Sequence, residues 1–188
     1  STCALVAIAN VITQTGGTIT EQEVLEYSVD QGYSLTGSSS SGKNGGTYIS
    51  RVDDILEHFG VEATLSYNSS PNNTAIIESL AQAVEEGNCA VGIIDANYLY
   101  GIPSSSSGPN HAVTINGVVN DVNGNLKGFY IFNTWGDGNL YFDLNKFSEM
   151  TYGAVISDNF VKQQCDHIDG TGNALNNSII GNNGDNIL

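Results

Sequence analysis

Residues 110–119 read Asn-His-Ala-Val-Thr-Ile-Asn-Gly-Val-Val, and residues 129–135 read Phe-Tyr-Ile-Phe-Asn-Thr-Trp. Both runs are rich in β-branched and aromatic residues, which suit a pleated surface and predict strands over His111–Val119 and Phe129–Trp135. Between them, Asp121-Val-Asn-Gly-Asn125 has the composition of a tight turn, so the two strands fold back on each other as a hairpin. The same five residues superficially resemble a calcium loop. Leu126, however, stands where that loop needs Gly, and Phe132 where it needs a bidentate Glu. Further strand candidates are Cys89–Asp95, Leu140–Leu144 and Ala154–Ser157, so strands dominate after Gly87.

The first half reads differently. Cys3-Ala-Leu-Val-Ala-Ile-Ala-Asn-Val-Ile12 is apolar nearly all round, which predicts a helix to about Gln14 buried on most faces, with Ser1 and Thr2 to cap it. Thr20-Glu-Gln-Glu23 is a capping box opening a second helix through Val24, Leu25 and Val29, with Gly32 as its stop. Residues 36–46, dominated by Ser and Gly, predict a surface loop. A third helix is expected from Thr47 to Phe59, a strand over 61–67, and a fourth helix from Thr74 to Glu86. A helical half followed by an antiparallel, strand-rich half argues for an α+β domain, with the cleft between the halves as the natural active site.

Composition bounds the function. The 188 residues suffice for one ordinary domain, and they carry five Lys or Arg against twenty Asp or Glu, a formal charge of −15. Such a surface repels phosphate backbones and anionic lipid, which excludes nucleic-acid binding and electrostatic membrane docking while leaving cations open. No stretch approaches the roughly 18 apolar residues of a membrane span, so membrane insertion is not expected. The start lacks a secretory signal, and Ser1 in place of Met leads us to expect a processed or excised end. Three cysteines, Cys3, Cys89 and Cys165, are too few and odd in number for a disulfide framework.

Cysteine nucleophiles need a thiolate, and the first turn of a helix favours one through its unpaired N–H groups and macrodipole. Cys3 sits in such a turn. A base must take the thiol proton, and His111 opens a strand facing the expected cleft. A third group must orient the imidazole, and Asn133 can lie beside His111 on the adjoining strand. Cys89 fits a buried structural role in its apolar strand. Cys165 has no evident base partner, and His58, beside Glu57 on a predicted helix, reads as a solvated surface residue. A metal site from Cys3, Cys89 and His111 lacks the Cys-x-x-Cys or His-x-x-x-His spacing that would support it.

Taken together, Cys3-Ala-Leu-Val-Ala-Ile-Ala-Asn10, Asn110-His-Ala-Val-Thr-Ile-Asn-Gly117 and Phe132-Asn-Thr-Trp-Gly136 resemble the papain-like cysteine peptidases, most closely their bacterial C39-like branch. The resemblance covers about residues 1–160 and implies a papain-like fold with a helical lobe and an antiparallel β-sheet lobe. It implies Cys3 as nucleophile, His111 as general base and then acid, and Asn133 as the orienting residue. Trp135 would shield the His–Asn hydrogen bond and is the candidate substrate-binding residue, although it would also serve as core. No cofactor is expected for this chemistry. The family commonly places an oxyanion-hole Gln a few residues before the Cys, where only Ser1 and Thr2 stand here. That donor either lies upstream or is replaced by backbone N–H groups.

Residues 166–188 form a different module from residues 1–165, with six Asn, four Gly and three Asp. Written in nines, Gly172-Asn-Ala-Leu-Asn-Asn-Ser-Ile-Ile180 sits over Gly181-Asn-Asn-Gly-Asp-Asn-Ile-Leu188. The pairing is similar to the start of degenerate RTX-type calcium repeats, with Asp169 and Asp185 as candidate Ca²⁺ ligands; a Gly/Asn-rich linker is the alternative. All five basic residues and seventeen of the acidic ones precede residue 166, so the peptidase-like domain, not the tail, carries the acidity.

The expected protein is therefore a cysteine peptidase domain of a larger secreted bacterial RTX-type protein, exported by the type I route. Its partner would be a peptide or protein substrate, with the parent chain itself as one candidate. Two alternatives stay open: an inactive papain-like binding or adhesion module, and an acyl or amide transferase using the same three residues.

Overall fold

The computed structural model describes residues 2–36, 45–102 and 108–160. Helix α1 (Cys3–Gln14) is followed by α2 (Glu21–Asp30), a short hairpin of β1 (Ser34–Leu35) and β2 (Gly46–Thr47), and α3 (Val52–His58). Strand β3 (Ala63–Tyr67) and α4 (Thr74–Glu85) lead into β4 (Asn88–Ile94) and the single-turn α5 (Ala96–Leu99). The chain then forms β5 (His111–Asn120), β6 (Leu126–Asn133), β7 (Gly138–Asp143), α6 (Leu144–Met150) and β8 (Thr151–Phe160). The six long strands make one sheet in the order β3-β8-β4-β5-β6-β7, antiparallel throughout.

Helical layers cover both faces of this sheet. Leu5, Ile8, Val11 and Ile12 of α1, Val24 of α2 and Ile55 and Leu56 of α3 pack against Cys89, Val91 and Ile93 of β4. On the other face Ile77 and Leu80 of α4 and Phe147 and Met150 of α6 pack against Ala90 and Ile94 of the same strand. Because β4 is buried on both sides, its sequence is a continuous apolar run instead of an alternating one. The central α1 needs its nearly all-round apolar surface for the same reason, and seven of its residues are buried.

Local chemistry places most of the boundaries. The Thr20–Glu23 capping box forms in both directions, Glu23 N–H donating to Thr20 Oγ1 at 3.3 Å and Thr20 N–H to Glu23 Oε2 at 2.8 Å. The expected turn at Asp121–Asn125 is a hairpin loop: Asp121 N–H donates to the Asn125 carbonyl, and the Asp121 carboxylate accepts from the N–H groups of Asn123 and Asn125. The Asn125 side-chain amide, which donates to both Asp121 carboxylate oxygens, and then these N–H groups hold the Asp121 carboxyl well below the usual carboxylate range, and Lys127 sits 3.1 Å away. Its oxygens are thus spent on closing the turn.

Several expectations need correction. The third helix does not begin at Thr47: Gly46 and Thr47 pair with Leu35 and Ser34, a 3-10 turn spans Ile49–Arg51, and α3 starts at Val52. The β-branched Thr47 is held in this ladder by a 2.8 Å hydroxyl contact with Ser34. Thr2 occupies the N-cap of α1 but makes no side-chain cap bond, and Ser1 lies outside the described residues. Strand β6 ends at Asn133, two residues early, because Gly136 takes φ +103° and turns the chain. Helix α6 follows β7 directly, capped by Asp143 accepting from Lys146 N–H at 3.0 Å. Residues 37–44, Ser104–Ser107, Cys165, His167 and the whole repeat-like tail with Asp169 and Asp185 also lie outside the described residues.

Candidate active site

Antiparallel pairing puts the first residue of β5 and the last of β6 at the same end of the sheet, and those residues are His111 and Asn133. His111 Nε2 and Asn133 Oδ1 lie 2.8 Å apart, both side chains buried. Helix α1 packs across β4 and β5, bringing its first residue, Cys3, to this end. Cys3 and His111 are 7% and 4% exposed, and both line a pocket of about 170 Å³ whose apolar wall includes Ile49, Val52, Val91 and Ile93. Intrahelical bonding of α1 starts with Val6 N–H donating to the Thr2 carbonyl, so the N–H groups of the first turn precede the helix ladder beside this pocket.

Neighbours of His111 are firmly placed. Asn110 Oδ1 accepts from Ala96 N–H at 2.8 Å and Asn110 N–H donates to the Ile94 carbonyl, which pins the chain just before the histidine. Thr134 Oγ1 donates to the Ala112 carbonyl and ties the turn after Asn133 to β5. Trp135 lies over the imidazole with ring centroids 3.9 Å apart and is itself 48% exposed, so it covers the histidine on one side and faces solvent on the other. The other ring nitrogen, His111 Nδ1, is buried and has no hydrogen-bond partner among the described residues.

The arrangement can do acid–base work at sulfur. With Asn133 Oδ1 accepting from Nε2–H, the neutral imidazole carries its lone pair on Nδ1, the nitrogen left to take a proton in the pocket. Cys3, in the first turn of α1, lines the same pocket.

Cys89 belongs elsewhere. It lies five residues along β4 from Ile94, the strand partner of His111, which is about 17 Å of extended chain. No metal ion can take ligands across that gap. Burial pushes the Cys89 thiol up to about 11, with a hydrogen bond to Ser157 pulling the other way. His58 is exposed as expected, although one face of its ring stacks on Tyr27 at 3.6 Å.

Two neighbours of the site escaped the sequence reading. Asp137 Oδ2 accepts from Asn133 Nδ2 at 2.7 Å and from the Tyr100 hydroxyl at 3.2 Å. Tyr100 in turn lies parallel to Trp135. The available signal was the Gly136-Asp137-Gly138 triplet: both glycines take positive φ, and the turn they permit carries Asp137 back onto Asn133.

No family model and no curated protein matches this sequence. Among solved structures, a Bacillus anthracis protein assigned as a C39-like peptidase superposes with a TM-score of 0.57 at 16% identity, covering 85% of this chain and 90% of its own. A double glycine motif protease from an AMS/PCAT transporter, solved with its leader peptide, has a TM-score of 0.49 at 17% identity, covering 82% of this chain and 81% of its own. The mixed helical and antiparallel architecture, with Cys3, His111 and Asn133 where helix α1 meets the sheet, thus has the papain-like fold of C39-type peptidases.

Proposed function

We propose that this chain is a cysteine peptidase domain in which Cys3 is the nucleophile, His111 the general base and acid, and Asn133 the group that orients the imidazole. The observation that carries the reading is a buried His111 with Nε2 tied to Asn133 and Nδ1 without a hydrogen-bond partner among the described residues, sharing a pocket with a cysteine at a helix start. His111 Nδ1 takes the Cys3 proton, and the thiolate adds to the carbonyl carbon of a peptide bond. Collapse of the tetrahedral adduct expels the amine, which receives its proton from the imidazolium and leaves a thioester on Cys3. Water, deprotonated by the same histidine, then releases the acid and restores the thiol. First-turn backbone N–H groups of α1 are the donors at hand for the oxyanion. Trp135 keeps water off one side of the imidazole and offers its exposed face to the bound peptide.

Selective alkylation tests the reading. At pH 7, iodoacetamide is expected to modify Cys3 at least about tenfold faster than Cys89, mapped by mass spectrometry, since a thiol near 11 is almost wholly protonated there. Equal rates at the two cysteines in the folded protein would refute a poised Cys3.

The wider setting belongs to the same proposal: a secreted bacterial parent protein, with that parent as one substrate and calcium held at Asp169 and Asp185. Its support is the Asn-, Gly- and Asp-rich composition of residues 166–188, which holds both aspartates, and the repeat pattern of residues 172–188. Equilibrium dialysis of the full chain should show calcium uptake that falls in a D169N/D185N double variant, and equal uptake by both proteins would exclude those ligands.

A further inference from the structure

An asparagine amide has an acceptor at one end and a donor at the other, and its two orientations differ only in what surrounds it. For His111 the choice is decisive. With Oδ1 toward Nε2, the ring must carry a proton on Nε2, so Nδ1 is free to accept one from a thiol. With Nδ2 toward Nε2, the neutral ring must carry its proton on Nδ1, and it then has no lone pair facing the pocket. The flipped amide also sets a donor against a donor once the ring becomes imidazolium. One half-turn about a single bond therefore separates a working base from an idle one.

Asn133 Nδ2 lies 2.7 Å from Asp137 Oδ2. An ionised carboxylate can only accept, so this neighbour admits the amide nitrogen and rejects the amide oxygen. Trp135 N–H, 3.3 Å from Asn133 Oδ1, favours the same orientation through a longer bond. The Tyr100 hydroxyl donates to Asp137 and lies 3.3 Å from Asn133 Nδ2, closing a triangle that holds the carboxylate in place.

From this geometry we infer that Asp137, steadied by Tyr100, is a positioning residue that locks the Asn133 amide in the orientation His111 needs. The inference rests on the reading of His111 as the base, yet it concerns the ring's tautomer and is measurable without any reaction. Asp137 is exposed, so its charge is screened by water. Its weight comes from selecting one end of the amide, which screening does not remove.

The experiment is ¹⁵N NMR of His111 in a Cys3→Ala variant, where the neutral ring reports its tautomer directly. The wild-type Asp137 background should show Nε2–H. Asp137→Asn can present either of its own amide ends to Asn133 and Asp137→Ala presents neither, so each should lower the ratio of Nε2–H to Nδ1–H, by about tenfold for the alanine. In an Asn133→Ala background there is no amide end to select, so the same Asp137 substitutions should leave the tautomer unchanged. That dependence on the residue at 133 is what a general loosening of the turn would not produce. An unchanged tautomer in both Asp137 variants, or an equal change with Asn and with Ala at position 133, overturns the inference. A tautomer shift together with a Cys3 whose reactivity ignores His111 would instead leave the positioning intact and defeat the peptidase reading.

Discussion

In a His111→Ala variant, peptide cleavage is expected to fall by at least about 10²-fold, whereas alkylation of Cys3 at pH 6 falls only about tenfold. The two numbers differ because the two reactions ask different things of the histidine. Iodide leaves without a proton, so alkylation depends only on the amount and quality of the thiolate. An ordinary thiol near 8.5 is well under 1% thiolate at pH 6, and an imidazolium partner makes it the main species. Much of that gain is returned, because a thiolate stabilised by a neighbouring charge is a weaker nucleophile. Amide cleavage has the further requirement that the departing amine be protonated, and alanine cannot supply that proton. Rates are read on a mixed peptide pool by mass spectrometry and on iodoacetamide by mapping Cys3. If both fall by the same factor, His111 sets the charge of Cys3 but is not the acid. If neither changes, the binding-module alternative gains and the peptidase reading is lost.

The legible parts of this molecule are those where a local pattern and the tertiary environment agree. Helix α1 could be read as buried because nothing polar interrupts residues 3–9, and it is buried because the sheet and two helices enclose it. The meeting of His111 and Asn133 was legible through the Asp121–Asn125 turn, since a hairpin brings the start of one strand beside the end of the next. What stayed hidden depends on distant partners. Strand β3 adds to the sheet beside β8, Ala63 opposite Ser157, and no pattern near residue 63 announces a mate almost a hundred residues away. Helix α6 has seven residues, too few for a helical period to stand out between two strands. Gly153 owes its place to the same distant pairing: a Cβ there would strike the Ser66 carbonyl oxygen and lie 2.9 Å from Tyr67 Cα. Asp137 is silent in the sequence because its value lies in the end of an amide it touches, a matter of side-chain geometry after an irregular turn.

Phe129→Ala should cost about 3–5 kcal/mol of stability, and Cys89 provides the means to see it. Phe129 is fully buried, stacked on Phe147 of α6 with centroids 4.0 Å apart, and clustered with Leu80, Ile131 and Met150. Removing the ring leaves a cavity between the sheet and α6 that two secondary-structure layers cannot both close. Since folded domains are stable by only about 5–15 kcal/mol, a large fraction of the total is lost. Cys89 lies on the opposite side of the sheet beneath α1, and its thiol ionises only near 11 while that layer is in place. Alkylation of Cys89 at pH 8 therefore follows the opening of the fold, and the Phe129 substitution should raise its rate by about 10²–10⁴-fold when opening and reclosing outpace the reagent. Cys3 answers to a different control. Phe129 is four residues, about 13 Å of strand, from Asn133, so Cys3 labelling at low temperature should stay within about twofold of the parent protein. A rise at Cys89 with constancy at Cys3 separates the stability of the sheet from the reactivity of the site. A parallel change at both cysteines would mean instead that Cys3, like Cys89, reacts only when the fold opens, and no poised thiolate would be left for the pocket to hold.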